Sequence, residues 1–343
     1  MYLHKSIFNI CILKCNVVLY LQLRKNGGII VAGKGFKVAI IGCGFVGASA
    51  AFAMSINNLV SEMVLIDVNK EKAYGEALDI NHGLSFVGQM NVYSGDYSDC
   101  KDCDVIVITA GANRKPGETR LDLAKKNVSI MKDITANIMK YYTKGVILVV
   151  SNPVDILTYM VQKWTGLPAS KVLGSGTVLD SSRFRNQIAN ILSVDVKNVH
   201  GYIIGEHGDS QLPIWSATHI AGTKFDDYVA KNNIVVDKEQ ILNDVKTAGA
   251  VIIKNKGATY YGIALSINRI CESLLKNYKT IMPIGTVING PYGINDVALS
   301  LPAIVSGNGI EKILEIDLTD EELKGLLHSA DQIKLVLNEV KDI

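Results

Sequence analysis

The chain has 343 residues, 48% hydrophobic and 20% charged, enough to bury a sizeable core in one large domain or two ordinary ones. Its formal charge is +2, but Lys5, Lys14, Arg24 and Lys25 lie in residues 1–30, which contain no acidic residue, so the remainder carries −2. A near-neutral body with mixed charges gives no electrostatic basis for binding nucleic acid or an anionic membrane.

The first 30 residues stand apart. Ile7 to Leu23 is apolar but broken by Asn9, Lys14 and Asn16, and it falls short of the ~20 apolar residues of a membrane span. No small-residue cleavage site separates it from the body. Gly27-Gly28 can be encoded by GGAGG, the shape of a ribosome-binding site, and Val31 by GTG. The expectation is that residues 1–30 lie outside the fold and that Val31 is the initiator.

From Lys37 short apolar runs alternate with helical stretches. Strands are expected at Val38–Ile41, Met63–Ile66, Val105–Thr109 and Val146–Val150. Helices are expected from the glycine-rich turn to about Ile56, over Glu71–Leu84, over Leu121–Tyr142 with Ile130, Ile134 and Ile138 on one face, and over Asp155–Trp164. This alternation predicts α/β architecture, a doubly wound parallel sheet of Rossmann type, over residues 31–175. After about Gly176 come longer helices and hairpin-like segments such as Tyr278–Gly293, then a capping box of Thr319 with Glu322 before a helix to about Val340. Residues 176–343 therefore read as a second, α+β substrate domain.

Gly42-x-Gly44-x-x-Gly47 follows a strand, opens a helix and precedes Asp67 by twenty residues, at the end of the next strand. That context marks a dinucleotide site. Gly42 serves the tight turn, Gly44 the approach of a pyrophosphate and Gly47 close helix–strand contact, with Phe45 and Val46 between the last two. Asp67 would accept bonds from a ribose 2′-hydroxyl and repel a 2′-phosphate, so NAD is favoured over NADP.

Six cysteines, Cys11, Cys15, Cys43, Cys100, Cys103 and Cys271, lack a disulfide-framework spacing and suit a reducing cytoplasm. Cys100 and Cys103 have no second pair and no His at ligand spacing, so no metal site is expected. His207 lies among small residues between Gly205 and Asp209, accessible for proton exchange. Singly, Asp180 and Arg183 read as an i,i+3 ion pair and Arg120 as a solvated loop charge.

From about Phe36 onward the sequence resembles the L-lactate/malate dehydrogenase family, especially its bacterial L-lactate members. The motifs GETRLDL, SNPVDILTY, GSGTVLDSSRFR, GYIIGEHGDSQLPIWS and KGATYYGIA occur in family order. The resemblance implies that His207 donates the proton to a substrate carbonyl, Asp180 holds its imidazole, and Arg183 grips the substrate carboxylate with two parallel bonds. It implies too that Arg120 closes over the substrate on a mobile loop, Asn152 bonds near the carbonyl and the nicotinamide, Gly111 and Ala112 contact the cofactor, and Thr259 lines the pocket. The Asn152-Pro153 bond is a candidate cis peptide. NADH-dependent reduction of pyruvate to L-lactate is the implied activity.

Arg114 departs from the lactate pattern. In the resembled family its position filters substrate, Gln facing a methyl group and Arg pairing with a second carboxylate. Malate dehydrogenase is therefore the alternative, and a non-catalytic NAD-binding protein a remote one. Thr259 and the lactate-type motifs favour pyruvate. Arg185 and His200 match a family site for fructose 1,6-bisphosphate between subunits, which implies a homo-oligomer, a tetramer by analogy.

Overall fold

Continuous apolar runs bounded by glycine form the centre of one large sheet, as expected of parallel strands covered on both faces. The computed structural model describes residues 20–23, 29–32, 35–113 and 117–343. Met1–Gly35 forms one unit and Phe36–Ile343 another. In the first, β1 (Tyr20–Leu23) pairs antiparallel with β2 (Ile29–Ala32), Tyr20 opposite Ala32. The rest of residues 1–30 lies outside the described residues, and with it most of the expectation about a start at Val31.

In the second unit β3 (Lys37–Ile41) leads into α1 (Phe45–Ile56), then β4 (Glu62–Ile66), α2 (Lys70–Gly83), β5 (Asn91–Ser94) and β6 (Val105–Ile108). After α3 (Arg120–Met139) come β7 (Val146–Val149), α4 (Val154–Thr165), β8 (Val172–Gly174) and α5 (Val178–Leu192). The helices α6 (Phe225–Lys231), α7 (Lys238–Lys256) and α8 (Tyr261–Lys276) precede β9 (Thr280–Asn289), β10 (Asn295–Ser306), β11 (Gly309–Ile313) and α9 (Asp320–Val340).

The sheet runs β11-β10-β9-β8-β7-β6-β3-β4-β5. From β8 to β5 all pairings are parallel, the doubly wound order in which the chain reverses between β3 and β6, where ligands bind. Alternate residues feed two cores, Ala39 and Ile41 on one face, Val38 and Ile40 on the other. The sheet does not stop at Gly174: β9 meets β8 at Gly285–Gly174, and β9, β10 and β11 add antiparallel strands. The hairpin is longer than Tyr278–Gly293. It joins β9 to β10 around Gly290, whose φ of 117° lets the chain reverse. The Thr319–Glu322 capping box opens α9 as expected. Among the described residues no helix is long and apolar enough to cross a membrane.

Candidate active site

At the reversal point β3 ends and Gly42 turns the chain with φ 102°, its N–H donating to the Ile66 carbonyl at 2.7 Å. A Cβ on Gly47 would run into the Gly42 carbonyl oxygen and lie 2.8 Å from Thr109 Oγ1, so only glycine lets α1 pack this close to the turn. A Cβ on Gly44 would meet nothing within 4 Å. Gly44 is the N-cap of α1; no side chain caps that end and its first turn holds no acid. Uncapped N–H groups facing open space suit a pyrophosphate. Asp67 is pinned beside them, Oδ2 accepting the Cys43 N–H at 2.6 Å and Oδ1 the Asn69 N–H at 2.9 Å. Each oxygen keeps a lone pair for a ribose hydroxyl, so these residues fit a dinucleotide.

Two further expected segments reach this cradle. Phe45, 68% exposed, stacks on Tyr260 with centroids 5.2 Å apart, which brings the Thr259 segment to the glycine turn. Asn127 of α3 accepts the Ala112 N–H at 2.7 Å and donates to the carbonyls of Ala112 at 3.1 Å and Asn152 at 2.6 Å. Gly111–Ala112 and Asn152 are thereby tied together, and the Asn152-Pro153 bond is cis. Arg114 lies outside the described residues.

The chemistry centres on Asp180, in the first turn of α5, its side chain 1% exposed. Oδ2 lies 2.6 Å from His207 Nδ1, and Oδ1 accepts from Arg183 Nη1 at 2.8 Å. Phe184, Ile188 and Leu192 follow Asp180 at steps of four along α5 and pack into a separate core, with Phe184 edge-on to Trp215 at 4.8 Å. This anchors the helix that presents both Asp180 and Arg183. Burial pushes the Asp180 carboxyl up, but His207 and Arg183 outweigh it and hold the group below the usual carboxylate range. The Asp180 charge raises the His207 imidazole to about 9 against the opposing effect of burial. His207 is thus charged at neutral pH, and with Nδ1 committed to Asp180, Nε2 carries the transferable proton.

Arg120 is the first residue of α3, preceded by a Thr119–Asp122 capping box. It is 69% exposed and pairs with Asp209, two residues from His207, at 2.5 Å. Such an exposed pair is worth about 0–1 kcal/mol, so a competing anion could displace it cheaply. Arg185 is half-buried on α5, where burial pulls its guanidinium below its usual value. His200 is exposed on a short strand opposite His219. Cys100 and Cys103 are buried in the core, each thiol pushed up by burial to about 12, which suits packing and not reactivity.

Sequence reasoning missed three participants. Asp155 of α4, fully buried, accepts the His207 N–H through Oδ2 at 2.7 Å, while Oδ1 has no partner. Burial raises its carboxyl to about 7. It lies within the SNPVDILTY motif, so its type was visible but its long-range partner was not. Asn127, which ties Ala112 to Asn152, and Ser329 of α9, which accepts the Glu206 N–H at 2.7 Å, carried no local signal.

The family models for "lactate/malate dehydrogenase, NAD binding domain" and "lactate/malate dehydrogenase, alpha/beta C-terminal domain" match residues 36–174 and 177–343. The chain is 49% identical over 307 residues to an L-lactate dehydrogenase of Thermoanaerobacter sp. (strain X514), covering 89% of this chain and 99% of that one. Among solved structures, L-lactate dehydrogenase from Clostridium thermocellum is 66% identical with a TM-score of 0.81, covering 89% of this chain and 99% of that one. The ligand-bound minor L-lactate dehydrogenase of Enterococcus mundtii is 44% identical with a TM-score of 0.87, covering 89% and 98%.

Proposed function

The chain belongs to the lactate/malate dehydrogenase family, NAD-dependent oxidoreductases acting on 2-hydroxy acids, and from that premise we propose that it is an L-lactate dehydrogenase interconverting pyruvate and L-lactate. The observation that carries the 2-hydroxy acid chemistry is the sharing of buried Asp180 between His207 and Arg183, and the choice of pyruvate is supported by the 49% identity to an L-lactate dehydrogenase. One carboxylate holds both a charged proton donor and a carboxylate-binding guanidinium in fixed geometry.

Bound NADH supplies the hydride that reaches substrate C2. Gly42, Gly44 and Gly47 with the first turn of α1 seat its pyrophosphate, Asp67 its ribose, and Gly111, Ala112 and Asn152 the nicotinamide end. Arg183 grips the substrate carboxylate with its remaining N–H groups, and Thr259 bounds the pocket. Arg120 leaves Asp209 to polarise the carbonyl, and His207 gives the Nε2 proton to the carbonyl oxygen as the alcohol forms. In lactate oxidation the same nitrogen takes that proton back. As finer parts of the reading, the chain acts in the cytoplasm in glycolysis and fermentation, assembles as a homotetramer, and takes fructose 1,6-bisphosphate at Arg185 and His200 of adjoining copies.

Steady-state NADH oxidation, comparing kcat/KM for pyruvate and oxaloacetate with and without fructose 1,6-bisphosphate, tests the substrate and effector assignments. Preference for pyruvate is expected. Preference for oxaloacetate would mean that Arg114 decides the substrate and that the malate reading is right.

A further inference from the structure

The segment from Gly205 to Ser216 carries both His207 and Asp209, and α9 holds it at two points. Near the start of α9, Glu322 accepts the Ser216 N–H through Oε1 at 3.0 Å and the Ser216 hydroxyl through Oε2 at 2.6 Å. Two turns further along sits Ser329, fully buried. Its Oγ accepts the Glu206 N–H at 2.7 Å and lies 3.0 Å from Ser210 Oγ. The Ser210 hydroxyl is in turn 2.5 Å from Glu206 Oε2, which also accepts the Ser210 N–H at 3.1 Å.

The directions of these bonds follow from donor and acceptor capacity. An ionised carboxylate only accepts, so Ser210 donates its hydroxyl proton to Glu206. The Ser210 oxygen is then left to accept from Ser329, and the Ser329 oxygen already accepts from the Glu206 N–H. The bonds form a closed ring, Glu206 N–H to Ser329, Ser329 to Ser210, and Ser210 back to the Glu206 side chain. Each hydroxyl is polarised by the bond it accepts, so the ring is stiffer than its separate bonds. Gly205 leaves room for it, since a Cβ there would lie 2.6 Å from Ser329 Oγ. The next N–H along the chain, that of His207, goes to Asp155 on α4. Consecutive backbone groups are thus anchored to α9 and α4 while the imidazole is anchored to α5.

We propose that Ser329 is a positioning residue for His207: the ring it closes fixes the backbone of Glu206 and so sets the register of the His207 imidazole against Asp180. The inference rests on His207 being the proton donor, but its test does not depend on which acid is reduced. The test uses Ser329→Ala, Ser210→Ala and the double variant in the full-length protein. Ser329→Ala strands a buried N–H, whereas Ser210→Ala, at a half-buried position, opens the same ring without stranding one. Neither touches Asp180 or Arg183 on α5 or Asp155 on α4, and Ser329→Ala leaves the Ser210 bond to the Glu206 carboxylate in place, so a His207 titration moved by both variants reports geometry.

The readouts are the His207 imidazole titration by NMR without substrate, kcat with the preferred acid, and NADH affinity. The titration midpoint falls by about one pH unit or more in both single variants. Turnover falls by about tenfold or more, with NADH affinity unchanged. The double variant is no worse than Ser329→Ala, because one ring is broken once. A folded variant that loses thermal stability but keeps the wild-type His207 midpoint would overturn the proposal, as would additive losses in the double variant. If the wild-type protein reduced neither pyruvate nor oxaloacetate, the functional reading would fail while the titration still judged the role of Ser329.

Discussion

Replacing Asp180 by Asn removes the largest influence on His207 while changing shape little. The wild-type imidazole titrates at about 9, against an ordinary 6.5. At about 1.4 kcal/mol per pH unit, that difference is worth about 3 kcal/mol of preference for the charged form. Burial and the Arg183 charge then oppose protonation more than Asp155 favours it, so the variant's midpoint falls below the ordinary imidazole value. At pH 7.5 His207 is then mostly neutral, where the wild type is almost fully protonated. The kcat/KM for pyruvate reduction is expected to fall at least about tenfold at that pH and to recover in part near pH 5.5. A further loss that pH does not restore measures orientation, since Nδ1 and Arg183 lose a charged partner. The pH–rate profile of kcat/KM is the assay, and a variant whose high-pH limb stays near 9 would refute the electrostatic account. The same shift has a stability consequence. A raised His pKa stabilises the fold fully below about 6.5, and that contribution disappears as pH climbs through about 9. The depressed Asp180 acts in the opposite sense, its contribution disappearing as pH falls through its folded value.

Arg183→Lys keeps the charge but not the fork that serves Asp180 and a carboxylate together. KM for pyruvate is expected to rise roughly 10- to 100-fold with NADH affinity unchanged, and an unmoved KM in steady-state kinetics would remove Arg183 from the substrate site. Arg114→Gln is expected to raise the pyruvate-to-oxaloacetate ratio of kcat/KM by roughly 10- to 100-fold, the worth of one charge-assisted carboxylate contact. A constant ratio in a competition assay would mean that Arg114 does not face the substrate.

What could be read from the sequence depended on how far each cause reaches along the chain. The glycine turn and Asp67 were legible because their spacing is local: a turn, a helix start and the next strand end lie within 26 residues, Gly42 to Asp67. Asp180 and Arg183 share a helical turn, but the bond from Asp180 to His207 spans 27 residues and became readable through the ordered motifs. Asp155 and Ser329 reach their backbone partners across 52 and 123 residues, with nothing local to announce them. The same reach hid the extent of the sheet. Helices α5 to α8 separate β8 from β9, so residues after Gly176 read as a new layer, although Gly174 and Gly285 pair directly.

The charges around His207 also argue for the kind of substrate. With His207 protonated, Asp180 ionised and Arg183 charged, the trio carries a net +1, which a single carboxylate neutralises on binding. Pyruvate brings one such group and then only a methyl, so the trio with Thr259 satisfies it without another cation. A dicarboxylate leaves one negative charge over, and burying it unpaired costs several kcal/mol. Arg120 is already paired with Asp209, and in the proposed mechanism it turns to the carbonyl, not to a second carboxylate. On that mechanism a dicarboxylate preference would have to come from Arg114, so its replacement is the test that distinguishes the two activities while the proposed proton-transfer and carboxylate-binding chemistry stays common to both.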